Sequence, residues 1–250
     1  MAKPVGKGGK DFPDYGVSSM SQSQSFSLDM SELAVRLGSG NYFDRSGVQL
    51  YNERFDCGLQ NWIETVAGAG SSIKLMASDV SVGAYAVKMT CGAVIANLAT
   101  IAKNLPYPYF SRFGIEWQVK HIVPGVQFNM VAIFYTGTKA YQLQVYTDSV
   151  NEKFYYVTPG PAYKSIDLAP FYTGAASEFH VYKLVADLEN AKWVRASIDT
   201  TDTNISANSL YTFASGEKPR LYLYFRTTNT TGVTETVVLD NIILTIDEPS

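Results

Sequence analysis

Residues 112–120 read Arg-Phe-Gly-Ile-Glu-Trp-Gln-Val-Lys, and their pattern is a clear indication of the fold class. Apolar side chains occupy every second position: Phe113, Ile115, Trp117 and Val119. Such alternation is typical of a β-strand that buries one face and exposes the other, so we expect Glu116 to face solvent. Residues 220–226 read Arg-Leu-Tyr-Leu-Tyr-Phe-Arg and favour a strand covered on both faces, because β-forming residues point both ways.

Segments of the same character recur from Glu53 onward, separated by turns rich in Gly, Pro, Asn and Asp. The predicted strands are Val48–Tyr51, Ile73–Met76, Ala84–Thr90, Arg112–His121, Phe128–Tyr135, Tyr141–Tyr146, Lys153–Val157, Phe179–Asp187, Trp193–Ile198, Arg220–Thr227 and Thr236–Ile246. Because no long helical period interrupts them, they indicate sheets rather than a mixed fold. We therefore predict an all-β fold, an antiparallel double-sheet jelly-roll sandwich, over residues 46–250.

Residues 1–45 differ in composition and are predicted to form an extended N-terminal arm with one short helix. The first 28 residues are rich in Gly, Lys, Pro, Ser and Gln, and they hold too little apolar surface to fold alone. The helix is expected near residues 30–37, where Asp29 or Ser31 can cap its first turn.

Two interpretations of this arm stay open at the level of sequence. It can be a floppy terminus, which is common for segments of this composition. Alternatively, it becomes ordered by lying on a neighbouring subunit, in the way that extended peptides add to a partner surface. In that case the spaced aromatic residues Phe12, Tyr15 and Phe26 are the expected partner-binding contacts.

The overall composition restricts the possible partners. The net charge of -3 and the isoelectric point near 5.4 argue against a nucleic-acid partner, since phosphate binding needs a basic face. No stretch approaches the roughly 20 apolar residues of a membrane span, and the first ten residues lack the apolar core of a signal peptide. We expect no membrane partner and no secretory leader. Cys57 and Cys91 are expected to be buried thiols, although one bridge between them stays open.

Known catalytic patterns are not found in the sequence. Hydrolases on sandwich folds usually carry paired carboxylates at close strand spacing, whereas Glu116 stands alone between Ile115 and Trp117. His121 and His180 lack Cys, Asp or Glu at metal-ligand spacing, and the chain has no Gly-x-Ser-x-Gly elbow. We therefore predict no catalytic residues, no metal, no cofactor and no enzymatic activity.

Aromatic residues on loops and strand ends suggest a different kind of site. Tyr107, Tyr109 and Tyr163 are candidates for stacking on sugar rings, since their rings combine an apolar face with a polar tip. The alternative is that these side chains fill the core or a subunit interface, where tyrosine is also enriched.

Two runs at the ends of the β-rich region resemble carbohydrate-binding-module-like and concanavalin-like jelly rolls. Residues Phe55–Trp62 are similar to the opening strand of such modules, and Val237–Leu244 resemble their last strand. The resemblance covers nearly the whole body and implies the jelly-roll fold. Such modules sometimes bind a structural calcium ion near these strands, where Asp56 and Asp240 stand here, but we assign no metal site to them.

The segments Ser31–Ser39 and Phe43–Gly47 are similar to the opening part of structural proteins of tailed-bacteriophage particles. This resemblance implies a non-enzymatic capsid decoration protein on the virion surface. Its arm would attach it to the major capsid protein or to neighbouring copies in a homotrimer. The alternative function is a glycan-binding module, on a tail fibre or a surface-attached protein, with carbohydrate as the partner.

Overall fold

The computed structural model describes residues 47–121, 126–148, 153–167, 178–199 and 201–249. The predicted arm, its short helix and the residues Phe12, Tyr15 and Phe26 lie outside these ranges. The described residues form strands and their connections, and no helix able to cross a membrane is found among them.

The strands pair into two antiparallel sheets. In chain order they are β1 (Val48–Glu53), β2 (Ile63–Ala67), β3 (Ser72–Met76), β4 (Ala86–Cys91), β5 (Leu98–Leu105), β6 (Arg112–His121), β7 (Val126–Tyr135), β8 (Lys139–Asp148), β9 (Lys153–Thr158), β10 (Ala162–Asp167), β11 (His180–Asp187), β12 (Lys192–Ile198), β13 (Thr201–Asn204), β14 (Tyr211–Ala214), β15 (Arg220–Asn229) and β16 (Glu235–Ile246).

Sheet I has the order β13-β12-β11-β6-β16-β4-β3, with β1 paired to β16. Sheet II has the order β10-β9-β8-β7-β15-β5-β2, with β14 paired to β8. The predicted all-β, antiparallel double-sheet jelly-roll sandwich is thereby confirmed. Strands β11 and β12 pair as a hairpin around Asp187–Asn190.

The core lies between the two sheets and is dominated by aromatic side chains. Trp117 of sheet I stacks on Tyr182 with ring centroids 5.5 Å apart, and Phe225 of sheet II lies 6.3 Å from the same indole. Phe113 and Phe134 meet edge to face at 4.8 Å across the sandwich. The alternating apolar residues of 112–120 therefore supply one layer of this core, as their spacing predicts.

The other face of β6 does not behave as expected. Glu116 is only 3% exposed, so the prediction of a solvent-facing carboxylate is wrong. Lys183 of β11 stands opposite it in the register and is equally buried. A buried carboxylate is tolerated when opposite charge lies beside it, and this pairing is not visible in the sequence of one strand.

The run Phe55–Trp62 is not the opening strand that its resemblance to jelly-roll modules implies. Phe55 has a φ of 56°, and its carbonyl oxygen accepts a hydrogen bond from the amide of Gly58, so the chain turns here. Phe55 and Trp62, at the two ends of the turn, are both buried in the core, with ring centroids 5.9 Å apart. In contrast, Val237–Leu244 does form the last strand, with a bulge after Asp240.

The two cysteines are free and differ in their surroundings. Cys91 is buried as expected, whereas Cys57 is exposed on the turn after Phe55. The prediction of two buried thiols is therefore wrong for Cys57, since its turn lies at the surface.

Candidate functional site

The outer face of sheet II brings together side chains from seven strands. Because the paired strands keep their register here, outward-facing residues form continuous rows across the sheet. One row runs through Thr65, Thr100, Arg226, Asn129, Tyr146, Tyr155 and Ser165. The next row contains Ile63, Ala102, Tyr224, Val131 and Gln144.

A groove of about 300 Å³ lies on this face. Its lining residues are Gln127, Asn129, Gln144, Tyr146, Tyr163, Tyr224, Arg226 and Thr228. We call it the tyrosine groove. Strands β7, β8, β10 and β15 each contribute to it, so the site depends on sheet pairing rather than on any single loop.

The aromatic rings of the groove support one another. Tyr146 stacks on Tyr155 with centroids 4.6 Å apart and meets Tyr163 edge to face at 5.2 Å. The hydroxyl of Tyr163 accepts a hydrogen bond from Nε2 of Gln144 at 2.9 Å. Gln144 Oε1 in turn accepts a hydrogen bond from Gln142 at 2.5 Å, so the position of the Tyr163 ring is fixed through two amides.

The phenol groups of the groove remain protonated at neutral pH. Burial raises the pKa of Tyr146 to about 12, and the neighbouring Tyr155 acts in the same direction. Burial also raises the pKa of Tyr163 and of Tyr224 above the usual tyrosine range. These hydroxyls can therefore donate hydrogen bonds to a ligand, in addition to accepting them.

Arg226 lies in the middle of the face, on a central strand. Its Nε donates a hydrogen bond to Oγ1 of Thr100 at 3.1 Å, and its guanidinium carbon lies 5.1 Å from the centre of the Tyr224 ring. Within the described ranges, no carboxylate forms a salt bridge with it. Arg226 therefore lines the groove without a charged partner among the described residues.

The described lining of the groove contains no Asp, Glu, His or Cys. The paired carboxylates that glycoside hydrolysis needs are therefore not provided by these lining residues. No cluster of metal-ligating side chains occurs elsewhere in the part of the chain that the structure describes. The chemistry available in the groove consists of aromatic faces, amides, hydroxyls and one guanidinium.

Only one of the three tyrosines predicted to bind sugar lies in this groove. Tyr163 lines it and is 43% exposed. Tyr107 lies in the connection between β5 and β6 and stacks on Phe110 at 6.2 Å, against the edge of the core. Tyr109, which is 73% exposed, borders a separate depression of about 380 Å³ beside Arg112. The structure does not bring Tyr107 or Tyr109 to Tyr163.

The remaining groove residues were missed by the sequence analysis, although one signal for them exists. Tyr222, Tyr224 and Arg226 occupy alternate positions of one strand and therefore point to the same face. They are half-buried rather than fully covered, so the prediction that β15 is covered on both faces is wrong for this side.

Asp56 and Asp240 approach the same loop without forming a metal cluster. Asp240 Oδ2 accepts hydrogen bonds from the amides of Ser81 and Val82 at 2.8 and 2.9 Å. Asp56 Oδ1 accepts one from the amide of Ala84 at 2.6 Å. Burial raises the pKa of Asp240, and the nearby Asp56 charge adds to that effect. Both carboxylates anchor the loop through backbone amides.

Comparison with known proteins identifies the fold but no family. No protein-family model matches the sequence, and no curated protein matches it significantly. The solved endo-β-1,4-glucuronan lyase from the fungus Trichoderma reesei is similar, with 12% identity and a TM-score of 0.54, over 80% of this chain and 96% of that one. A sialidase structure is similar over 81% of this chain, with 9% identity and a TM-score of 0.51. This chain spans only 19% of that sialidase. The carbohydrate recognition domain of Emp47p matches 82% of this chain and 99% of its own, with 10% identity and a TM-score of 0.48.

These comparisons correct one prediction and leave another without support. The prediction that the chain is not an enzyme is overturned, since its fold is shared with the glucuronan lyase over almost the whole of that enzyme. Nothing in the comparisons indicates a bacteriophage virion protein. The shared feature is the jelly-roll fold.

Proposed function

We propose that this protein binds glycan chains in the tyrosine groove. The observation that carries the proposal is the placement of Tyr146, Tyr163 and Tyr224 on one sheet face beside the amides of Asn129 and Gln144. This combination of ring faces and hydrogen-bonding groups matches what a sugar presents to a protein.

A pyranose ring has apolar C–H faces and a rim of hydroxyl groups. Tyrosine rings bury the faces, and their hydroxyls exchange hydrogen bonds with the rim. Asn and Gln side chains each offer both donors and acceptors, so they can satisfy sugar hydroxyls in either role. The groove places three tyrosine rings beside amide, hydroxyl and guanidinium groups, so ring faces and polar partners for a sugar lie side by side.

The structural comparisons support the same proposal. The two similar structures with TM-scores above 0.5 are, by their names, a glucuronan lyase and a sialidase, and both names denote proteins that act on carbohydrates. These names support the proposed glycan recognition, and cleavage of the bound glycan is among the outcomes to be measured.

The capsid decoration role stays a prediction. It depends on the similarity of Ser31–Ser39 and Phe43–Gly47 to phage structural proteins, and on Phe12, Tyr15 and Phe26 as contacts with a partner. All of these except Gly47 lie outside the described residues. Attachment to the major capsid protein, a homotrimer and a location on the virion surface are the corresponding proposals, and the glycan-binding reading is better supported.

Glycan-array binding followed by calorimetry tests the groove directly. We expect Tyr163→Ala and Tyr224→Ala to weaken binding of the best array ligand by about tenfold or more, which corresponds to about 1.4 kcal/mol each. Tyr109→Ala is the matched control, because it removes an exposed tyrosine outside the groove. Unchanged affinity in both groove variants, or an array without any bound glycan, contradicts the proposal. Mass spectrometry of the ligand after incubation shows whether it has been cut.

A further inference from the structure

The charge distribution of the tyrosine groove points to a narrower ligand class, and this inference rests on the proposed glycan binding. Arg226 is the only formally charged side chain among the described lining residues. The remaining lining consists of neutral tyrosine, amide and threonine side chains. The groove therefore carries one positive charge, although the whole protein has a net charge of -3.

Arg226 differs from three other cations of the sandwich that have low side-chain exposure. Lys103, Lys120 and Arg195 each have a carboxylate oxygen within 3.2 Å. For Arg226, the contacts within the described ranges are the Thr100 hydroxyl and the Tyr224 ring. A cation in a half-buried site usually gains a counter-charge, because water alone compensates it less well there.

The geometry of these two contacts leaves the end of the guanidinium available. The hydrogen bond to Thr100 uses Nε, so both terminal nitrogens can face a ligand. A guanidinium presents parallel N–H groups that match two oxygens of one anionic group. The Tyr224 ring under the guanidinium keeps its plane in place, which reduces the entropy lost on binding.

The same face also indicates where the anionic group would lie. Asp148 stands opposite Gln127 in the register, one row away from Arg226, and Lys153 stands opposite Asp148. Their charges are opposite, so this row adds no net charge to the groove. The anionic group is therefore expected at Arg226, beside Asn129 and Thr100 on the neighbouring strands.

We propose that the tyrosine groove selects acidic glycans, with the anionic group of the sugar bound end-on by Arg226. Carboxylate and sulfate groups share the required chemistry, namely two or more oxygens that carry negative charge. The Tyr146 and Tyr163 rings would hold the neighbouring sugar, so that the charge and the stacking contacts select the ligand together.

Three matched tetrasaccharides test this proposal by calorimetry. They are a β-1,4-linked glucuronic acid chain, the same chain with its carboxylates reduced to alcohols, and the reduced chain carrying sulfate esters. We expect the native protein to bind at least one acidic chain about tenfold or more tightly than the neutral chain at low salt. Raising the salt concentration to 0.5 M should reduce this preference, because it screens the charge pair.

Variants assign the preference to the arginine. Arg226→Gln should remove the preference for the acidic chain, so that the acidic and neutral chains bind this variant with affinities within about twofold of each other. Arg226→Lys should keep part of the preference, because lysine retains the positive charge but lacks the parallel N–H groups of the guanidinium. Arg220→Gln is the control, because Arg220 lies on the same strand, faces the same way and is paired with Glu217 outside the groove.

The outcomes separate this inference from the proposed function. Equal binding of acidic and neutral chains by the native protein overturns the acidic selection but leaves glycan binding intact. No binding of any glycan overturns both. If Arg226→Gln loses all binding at an unchanged melting temperature, or keeps the acidic preference, the arginine does not select the charge. If Arg226→Gln fails to fold, the preference of the native protein and the affinities of the Arg226→Lys variant still test whether the groove selects acidic glycans.

Discussion

The Nζ atom of Lys103 on sheet II lies 3.2 Å from Oε2 of Glu53 on sheet I, and this ion pair joins the two sheets at one side of the sandwich. Tyr51 donates its hydroxyl to the same carboxylate at 2.5 Å, and the Trp62 indole donates at 3.0 Å. Lys103 also lies over the Tyr51 and Trp62 rings, at 4.9 and 5.1 Å. The carboxylate of Glu53 is thus the centre of a half-buried polar cluster that both sheets share.

This cluster predicts an acid-sensitive contribution to stability. Burial alone would raise the pKa of Glu53, but hydrogen bonds from Tyr51 and Trp62 and the Lys103 charge hold it below the usual value. The stabilisation is therefore present at neutral pH and is lost as the pH falls through the lowered pKa. We expect Glu53→Gln to lower the free energy of unfolding at pH 7 by about 2 kcal/mol, and by less at pH 3.

Urea denaturation at the two pH values measures this difference. Glu217→Gln is the control, because the Glu217 side chain is 56% exposed in its pair with Arg220 and should contribute less than about 0.5 kcal/mol. An equal loss of stability at pH 7 and pH 3 would contradict the assignment to the ionised carboxylate.

The buried His121 side chain is expected to make the folding stability sensitive to acid at a higher pH than Glu53 does. The side chain is buried against the Phe128 ring, with centroids 6.3 Å apart, and contacts the Thr147 hydroxyl at 3.4 Å. Burial lowers the pKa of His121 to about 4, and the nearby His180 adds to this. The folded state then binds fewer protons than the unfolded chain, so stability is present above about pH 6.5 and falls toward pH 4.

A pKa shift of this size corresponds to a loss on the order of 3 kcal/mol once the unfolded chain is fully protonated. An NMR titration of the His121 ring protons should give a midpoint near 4. In His121→Gln the stability should change less between pH 6.5 and 4.5 than in the native protein. A ring midpoint near 6.5 would show that the imidazole is solvated.

The sequence predicts the positions of the strands better than it predicts which strands pair within each sheet. Alternation in residues 112–120 and the turn residues after each strand locate most of the sandwich, because burial of one face imposes the period of two. Strand β5 (Leu98–Leu105) was missed, since its alanines, Lys103 and Asn104 carry little β-forming preference. Its strand conformation comes from pairing with β15 on one side and β2 on the other.

The groove could not be predicted for a related reason. Alternation shows that Tyr224 and Arg226 share a face, but it does not show that Asn129 and Tyr146 stand in the same row. Register between strands distant in sequence depends on the whole sheet. Tyr163 was found because it is an aromatic residue on a loop or strand end, while Tyr107 and Tyr109 fit the same pattern and lie elsewhere.

Replacing Gly114 with alanine is expected to create a steric clash within residues 112–120. A Cβ atom added there would lie 2.7 Å from Oε1 of Glu248 and would also clash with the Thr245 hydroxyl. Glu248 is held 2.9 Å from the buried Lys183 ammonium, so it has little freedom to move. We expect Gly114→Ala to lower the free energy of unfolding by about 1–3 kcal/mol.

Chemical denaturation of a matched pair checks this prediction. Gly216→Ala is the control, since a Cβ atom at Gly216 meets nothing within 4 Å and should change stability by less than about 0.5 kcal/mol. Equal stability of the two variants would mean that Thr245 and Glu248 can move aside at no cost.

Tyr155 is expected to affect glycan binding indirectly, by holding the Tyr146 ring in position. Its ring stacks on Tyr146 at 4.6 Å with an interplanar angle of 15°, yet it does not line the groove itself. Tyr155→Ala should leave the Tyr146 ring free to turn, and we expect glycan affinity to fall about three- to tenfold, or about 0.7–1.4 kcal/mol. Tyr155→Phe should bind like the native protein, because only the ring is needed for stacking. Calorimetry with the same glycan measures both variants, and circular dichroism confirms that each is folded. If the phenylalanine variant is as weak as the alanine variant, the hydroxyl of Tyr155 contributes to binding and the stacking explanation is wrong.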